Sequence, residues 1–149
     1  GEPKKAFEKA INNAKKVAMS LSDLFCVERH KQNFLDLVKK KLDLTFANES
    51  EIMALINTKN FDEVINFAKE IKKHIVITRG EKGAISIIGD EITEIKANKD
   101  LTIKDLTGAG DLFAAGYLHG FINNLPIEEC LKQATKLSSK VIQQIGARL

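Results

Sequence analysis

Asp105-Leu106-Thr107-Gly108-Ala109-Gly110-Asp111 runs without interruption into Leu112-Phe113-Ala114-Ala115-Gly116. A Lys/Ile-rich extended stretch precedes it, and the residues that follow are apolar and compatible with a helix. Two glycines and an alanine at a helix start leave backbone N–H groups uncovered and let an anion approach closely. The carboxylate of Asp111 then falls in the first turn. An anion cradle beside a carboxylate suits the transfer of a phosphoryl group to a hydroxyl. The cradle holds the transferring charge, and the carboxylate takes the hydroxyl proton. The same residues also read as a tight strand–helix junction, with glycines for packing and Asp111 complementing the helix dipole.

Working outward, the chain of 149 residues fits one domain with a sizeable core. Its 44% hydrophobic and 29% charged residues match an ordinary globular composition. With 23 basic and 20 acidic residues the net charge is +3, too balanced to argue for a nucleic-acid partner. The run Lys39-Lys40-Lys41 reads as a solvated helix end. Cys26 and Cys130 match no metal or redox spacing, so two free thiols in a reducing compartment are expected. No stretch approaches the ~20 apolar residues of a membrane span. Gly1-Glu2-Pro3-Lys4-Lys5 carries no apolar signal core, and a cytoplasmic location is the expectation. The missing initial Met points to a processed or truncated chain.

Helices and buried strands alternate along the sequence. Ala6, Phe7, Ala10, Ile11, Ala14 and Val17 share a face, predicting a helix over 3–16. Val17 to Leu21 reads as a short strand, Arg29 to Lys40 as a helix with Phe34, Leu35 and Val38 inward, and Leu42 to Ala47 as a strand. Asn48 is a good N-cap for a helix whose apolar side is Ile52, Met53, Leu55 and Ile56. Phe61 to Lys72 continues as a helix. His74-Ile75-Val76-Ile77-Thr78 is β-branched without polar alternation, the mark of a strand covered on both faces. Ala84 to Ile88 and Glu91 to Ile95 form a hairpin about Gly89-Asp90, suited to a type II′ turn. Two long helices follow, one from Gly108 to Asn123 and one beginning at Pro126. The second places Ile127, Cys130, Leu131, Ala134, Leu137, Val141, Ile142 and Ile145 on one side, with Gly146 positioned to end it. The pattern predicts an α/β sandwich with a mainly parallel sheet and an antiparallel edge.

Three further stretches can carry chemistry, each with a plainer reading. Thr78-Arg79-Gly80-Glu81-Lys82-Gly83 follows the buried strand, where ligands of parallel sheets bind; it also reads as an ordinary hairpin-entry loop. Asn48 and Glu51, three apart, form either a capping box or, with Glu51 turned outward, a water-mediated hold on Mg²⁺. Asp23 and Arg29 either line a pocket or belong to a capped loop. His30 and His119 read as surface or helix-end residues, and no Ser/His/Asp or metal-spaced cluster is present.

At these residues the chain resembles the ribokinase-like, or PfkB, family of sugar and nucleoside kinases. Asp105 to Asp111 matches its D-T-x-G-A-G-D pattern, with Leu106 where Thr is commoner. Asn48-x-x-Glu51 looks like its N-x-x-E motif, and Thr78-x-Gly80-x-x-Gly83 like its nucleotide loop. The resemblance covers essentially the whole chain and implies a three-layer α/β/α fold. It implies ATP and Mg²⁺ as cofactors, with Glu51 holding Mg²⁺ through water. Asp111 would be the catalytic base, and the amides of Gly108, Ala109 and Gly110 the anion hole. Thr78, Gly80, Gly83, Thr107, Asn48 and Glu51 would border the nucleotide, and the last helix around Leu137 to Val141 the adenine. A monovalent cation beside the anion hole is left open. Leu21 to His30 with Phe46-Ala47-Asn48-Glu49 looks closest to bacterial adenosine kinase-like members, so adenosine is the first acceptor expected and a sugar such as ribose or fructose the second.

The departure from the family is one of extent. Its members are considerably longer, and nothing here matches their N-terminal lid and acceptor-binding segments. Residues 1–149 therefore read as the C-terminal part of one kinase domain, with the ATP side and base present. Such a chain is expected to pair with itself or with its missing half, and to be inactive, or merely nucleotide-binding, alone. Neither nucleic acid nor membrane is an expected partner.

Overall fold

The continuous apolar run His74–Thr78 forms β3, the middle strand of a five-stranded sheet. A computed structural model describes residues 1–147. The strands β1 (Ala18–Ser20), β2 (Leu44–Asn48), β3, β4 (Ala84–Ile88) and β5 (Glu91–Ile95) lie side by side in sequence order. The β1–β2 and β2–β3 pairings are parallel, and β3–β4 and β4–β5 are antiparallel. The expected sheet is thus present, and β4 and β5 make up its antiparallel edge. Between Ile88 and Glu91 the hairpin has Gly89 at φ 57, as a type II′ turn requires.

Both faces of β3 are covered, which explains its lack of alternation. Ile75 and Ile77, with Ile85 and Ile87 of β4, are fully buried in a core shared with Leu21, Val27, Ile52, Leu55 and Val64. These last come from the segment after β1 and from α2 (Leu24–Arg29), α4 (Glu49–Leu55) and α5 (Phe61–Ile71). On the other face Leu44, Phe46, Val76 and Ala84 pack with Phe113, Tyr117, Leu131 and Ala134. Those belong to α6 (Ala109–Ile122) and α7 (Ile127–Val141). Each fully buried Ile contributes about 1.5–3 kcal/mol over leaving it exposed. The result is the α/β/α sandwich. No helix among the described residues is long and apolar enough to cross a membrane.

Two local expectations are refined and two are corrected. The helix foreseen over residues 29–40 is present but starts two residues later, after an unforeseen short helix: α2 ends at Arg29, and His30 leaves helical geometry at φ −123, ψ 28. A second piece, α3 (Lys31–Asp36), then passes into a π-helical turn, Leu37–Lys41, closed by the Leu42 N–H donating to the Leu37 carbonyl at 2.9 Å. The first helix, α1 (Glu2–Asn13), is present but has no fully buried residue: Ile11 is half-buried and Phe7 is 43% exposed. Pro126 is the cap before α7, not its first helical residue. Nor does Gly146 end that helix. α7 stops at Val141, and Ile145 is 88% exposed because the chain has already left the helix that would turn it inward.

Candidate active site

The parallel strands deliver their carboxyl ends to one edge of the sheet, and there Asn48 of β2 stands level with Thr78 of β3. Asn48 caps α4: its Oδ1 accepts the Glu51 N–H at 2.8 Å. Glu51 answers with both oxygens. Its Oε2 accepts the Asn48 N–H at 2.9 Å and its Oε1 accepts the Asn48 amide Nδ2 at 3.0 Å. This is the capping box, and in it the Glu51 carboxylate is buried. Burial raises its pKa, opposed by the hydrogen bond from the Asn48 N–H and assisted by the negative charge of Asp23. Each Glu51 oxygen keeps a lone pair, so a water could still be held.

After Thr78 the chain makes a tight 3₁₀ turn, Gly80–Lys82, pinned by the Arg79 N–H donating to the Gly83 carbonyl at 2.8 Å. The two glycines of this loop differ. Gly83 sits at φ 98 with the Ile95 carbonyl 2.0 Å from where a Cβ would stand, so packing alone demands it. Gly80 faces open space. Asn48, Glu49, Ser50, Met53, Thr78, Arg79 and Gly80 line a cleft of about 330 Å³. The second and third sequence motifs therefore share one site. A larger cleft, about 500 Å³, lies between β5 and α7 among Glu94, Lys96, Asn98, Lys132 and Lys136, and includes none of the residues singled out in sequence.

The turn before α6 is built around Asp105. Its Oδ1 accepts the Thr107 N–H at 2.9 Å and its Oδ2 accepts the Gly146 N–H at 3.1 Å. These bonds, Thr107 foremost, hold the Asp105 carboxyl below the usual carboxylate range. The Lys104 and Asp105 N–H groups both donate to the Ile142 carbonyl, at 2.7 and 3.2 Å. Residues 142–147 thereby strap the turn down. Gly108 adopts φ 78, ψ 0, and a Cβ there would lie 2.6 Å from that of Ala147. The amides of Gly108 and Gly110 have no hydrogen-bond partner among the described residues. Ala109 is a correction: its N–H is not free but donates to the Leu106 carbonyl at 3.2 Å. Gly110 and Asp111 are exposed, and nothing lies within 4 Å of a Cβ built on Gly110.

The direction of α6 sets where this turn lies. Phe121, near the far end of α6, meets His74 at the start of β3, ring to ring at 5.3 Å. Tyr117, one turn earlier, meets Phe46 of β2 at 5.6 Å. α6 therefore runs antiparallel to β2 and β3. From Tyr117 back to Asp111 the helix advances about 9 Å; from Phe46 on to Asn48 the strand advances about 7 Å. The free amides and the Asp111 carboxylate thus reach the same edge as Asn48 and Thr78.

Two groupings escaped the sequence reading. Glu49 bridges Arg79 (Nε–Oε2 3.1 Å) and Lys82 (Nζ–Oε1 3.4 Å), tying the two motifs together. Beneath α6, His74 Nε2, Ser86 Oγ and Tyr117 Oη form a buried triangle with sides of 2.7, 3.1 and 3.1 Å. Burial takes the His74 pKa down to about 4 and pushes the Tyr117 phenol up. Nothing local announces either grouping. Asp23 proves to be a cap, accepting the Cys26 N–H at 2.8 Å, and the exposed Arg29 lines neither cleft. Among the described residues no group of three or more His, Cys, Asp or Glu is arranged to hold a metal directly.

The model of the pfkB family carbohydrate kinases matches residues 3–149. The crystal structure of adenosine kinase from Sinorhizobium meliloti is 36% identical with a TM-score of 0.89, over 97% of this chain and 45% of that one. A probable sugar kinase from Rhizobium etli is likewise 36% identical, TM-score 0.88, over 97% of this chain and 44% of that one. A cytidine kinase of Thermococcus kodakarensis is 29% identical over 119 residues, covering 78% of this chain and 42% of that protein. The chain spans less than half the length of each of these relatives.

Proposed function

The chain belongs to the pfkB family of carbohydrate kinases, and on that footing we propose that it carries the base and the ATP side of a phosphoryl transfer to a nucleoside hydroxyl, with adenosine the first acceptor. Members of this family are ATP-dependent carbohydrate and nucleoside kinases. One observation carries the reading: the unpaired amides and carboxylate at the start of α6 open on the same sheet edge as the Asn48–Thr78 cleft.

Asp111 takes the proton of the acceptor hydroxyl as the γ-phosphoryl group arrives. The Gly108 and Gly110 amides meet the charge that develops on the transferring group. Ala109 joins them only by sharing or giving up its bond to Leu106. Thr78, Gly80, Asn48 and Thr107 border the nucleotide, and Gly83 shapes the loop that does so. The donor set fits Mg²⁺ carried on the nucleotide, with Glu51 touching it through water, because magnesium keeps most of its waters and phosphate ligands. When bound, it would neutralise phosphate charge. The free thiols Cys26 and Cys130 fit a reducing, cytoplasmic setting.

We place the chain as the C-terminal part of a longer kinase domain. Edge strand β1, the unburied face of α1 and Phe25 at 70% exposure fit an acceptor-binding half contributed from outside residues 1–149, or by a second copy. The openness of the Asp111 turn supports a second reading in which the chain alone binds nucleotide without turnover. The test is ATP-dependent phosphorylation of adenosine against ribose and fructose, by the longer protein and by the 149-residue chain. Adenosine turnover lost in Asp111→Asn, with ATP binding kept, is the expected result. Near-normal turnover by that variant overturns the base assignment, and preference for a sugar overturns the acceptor.

A further inference from the structure

The Glu49 bridge joins two motifs that the sequence keeps 30 residues apart. Its members are not equivalent. Arg79 is fixed twice: its Nε meets Glu49 Oε2 at 3.1 Å, and its guanidinium lies 3.7 Å from the centre of the Phe61 ring. Its side chain is 19% exposed. Lys82 is 65% exposed and held only at 3.4 Å by the other Glu49 oxygen. An ion pair that exposed is weak and exchanges partners readily. One carboxylate faces two cations, so the cluster carries a positive charge in excess. Glu81, next to Lys82, is exposed and makes no ion pair among the described residues. Glu51, two residues on from Glu49, turns both oxygens to Asn48 instead. The excess charge therefore stands beside the 330 Å³ cleft that Glu49 and Arg79 line.

We propose that Arg79, Glu49 and Lys82 form a phosphate-positioning device in which Glu49 parks the Lys82 ammonium and a nucleotide's polyphosphate draws it across the cleft. This rests on the nucleotide reading above. Arg79, clamped between Phe61 and Glu49, is the fixed platform. Lys82, on a flexible four-carbon stem, is the moving cation. Glu49 is a positioning residue that competes with phosphate for it. Each further phosphate on the ligand strengthens the competitor, so the device favours nucleoside triphosphates over monophosphates.

Calorimetric titration of the 149-residue chain with ATP and with AMP tests this. Lys82→Met should weaken ATP binding about tenfold and leave AMP binding within about twofold, since the lost charge-assisted contact is to the outer phosphates that AMP lacks. Lys82→Arg should restore ATP binding. Glu49→Gln, which frees Lys82, should tighten ATP binding about twofold to threefold. The opposite signs at one cluster separate a charge effect from damage to the fold. ATP binding indifferent to Lys82→Met, equal losses for ATP and AMP, or a Glu49→Gln loss matching that of Lys82→Met each overturns the proposal alone. A wild-type chain that takes up no ATP overturns the nucleotide reading and this inference together.

Discussion

Two polar regions lie at opposite ends of the β2–α6 packing. Under α6, His74, Ser86 and Tyr117 bond one another, and no buried side-chain polar atom among the described residues is left without a partner. At the start of α6, the Gly108 and Gly110 amides have no partner among the described residues, and Asp111 is exposed. Satisfied polar groups deep in a core specify one packing arrangement. Groups left unsatisfied at a helix start and open to solvent are available to a ligand. The contrast fits a structural role for the first region and the proposed chemistry for the second, and it can be broken from either side.

The largest effect is expected at the open end. Asp111→Asn keeps size and the helix start but cannot accept the acceptor's proton. The proposed phosphoryl transfer by the longer protein should fall about 10²–10⁴-fold, while ATP affinity and thermal stability stay close to wild type. A matching loss of stability would move Asp111 into the structural class and weaken the contrast.

At the closed end the lever is pH. Burial holds the His74 pKa down at about 4 from an ordinary 6.5, so between those values the unfolded chain binds the proton and the native one does not. Stability therefore rises with pH across that window and is lost as pH falls through it, by about 3 kcal/mol when fully developed. Denaturation midpoints of the wild type and His74→Phe, measured between pH 7 and pH 4, check this. The wild type should show the extra loss, and parallel curves would mean that His74 is not held neutral.

How much of this could be read from the sequence depends on the range of the interaction. The bounds of β3, β4 and β5 follow from continuous β-branched runs and a two-residue glycine turn, signals contained within a few residues. The Asn48 cap and the start of α6 are equally local. The π turn before Leu42 is not visible because Phe34, Val38 and Leu42 keep helical spacing through it, and the break at His30 falls in the polar stretch 28–33, which has no apolar period to interrupt. The Asp105–Gly146 bond spans 41 residues and the His74–Tyr117 bond 43, and such pairs exist only once the sheet has brought them together. The motif residues were legible individually. That Asn48 and Thr78 line one cleft, and that the Ala109 amide is already engaged, follows only from the folded arrangement.

Gly108 tests the strap that holds the open end in place. Alanine there must adopt φ 78 and displace Ala147, whose Cβ would stand 2.6 Å away. A destabilisation of about 1–3 kcal/mol is expected in urea titrations, together with a larger loss of turnover than of ATP binding, because the two free amides shift. An undisturbed variant would show that residues 142–147 do not determine the turn.

Asn48 combines both characters, a satisfied helix cap and an amide on the cleft, and it gives the smallest effect and the sharpest division between them. Asn48→Ala removes the cap to the Glu51 N–H and the amide bond to Glu51 Oε1, at about 1 kcal/mol of stability. Asn48→Ser restores a capping oxygen but no amide donor, so it should recover stability to within a few tenths of a kcal/mol. If the Asn48 amide also meets the nucleotide, the Ser variant keeps the Ala variant's weakened ATP binding even though the fold is repaired. Recovery of both together would assign Asn48, and the N-x-x-E spacing with it, to the capping box alone, and would leave the cleft's polar contacts to Thr78, Arg79 and Glu49.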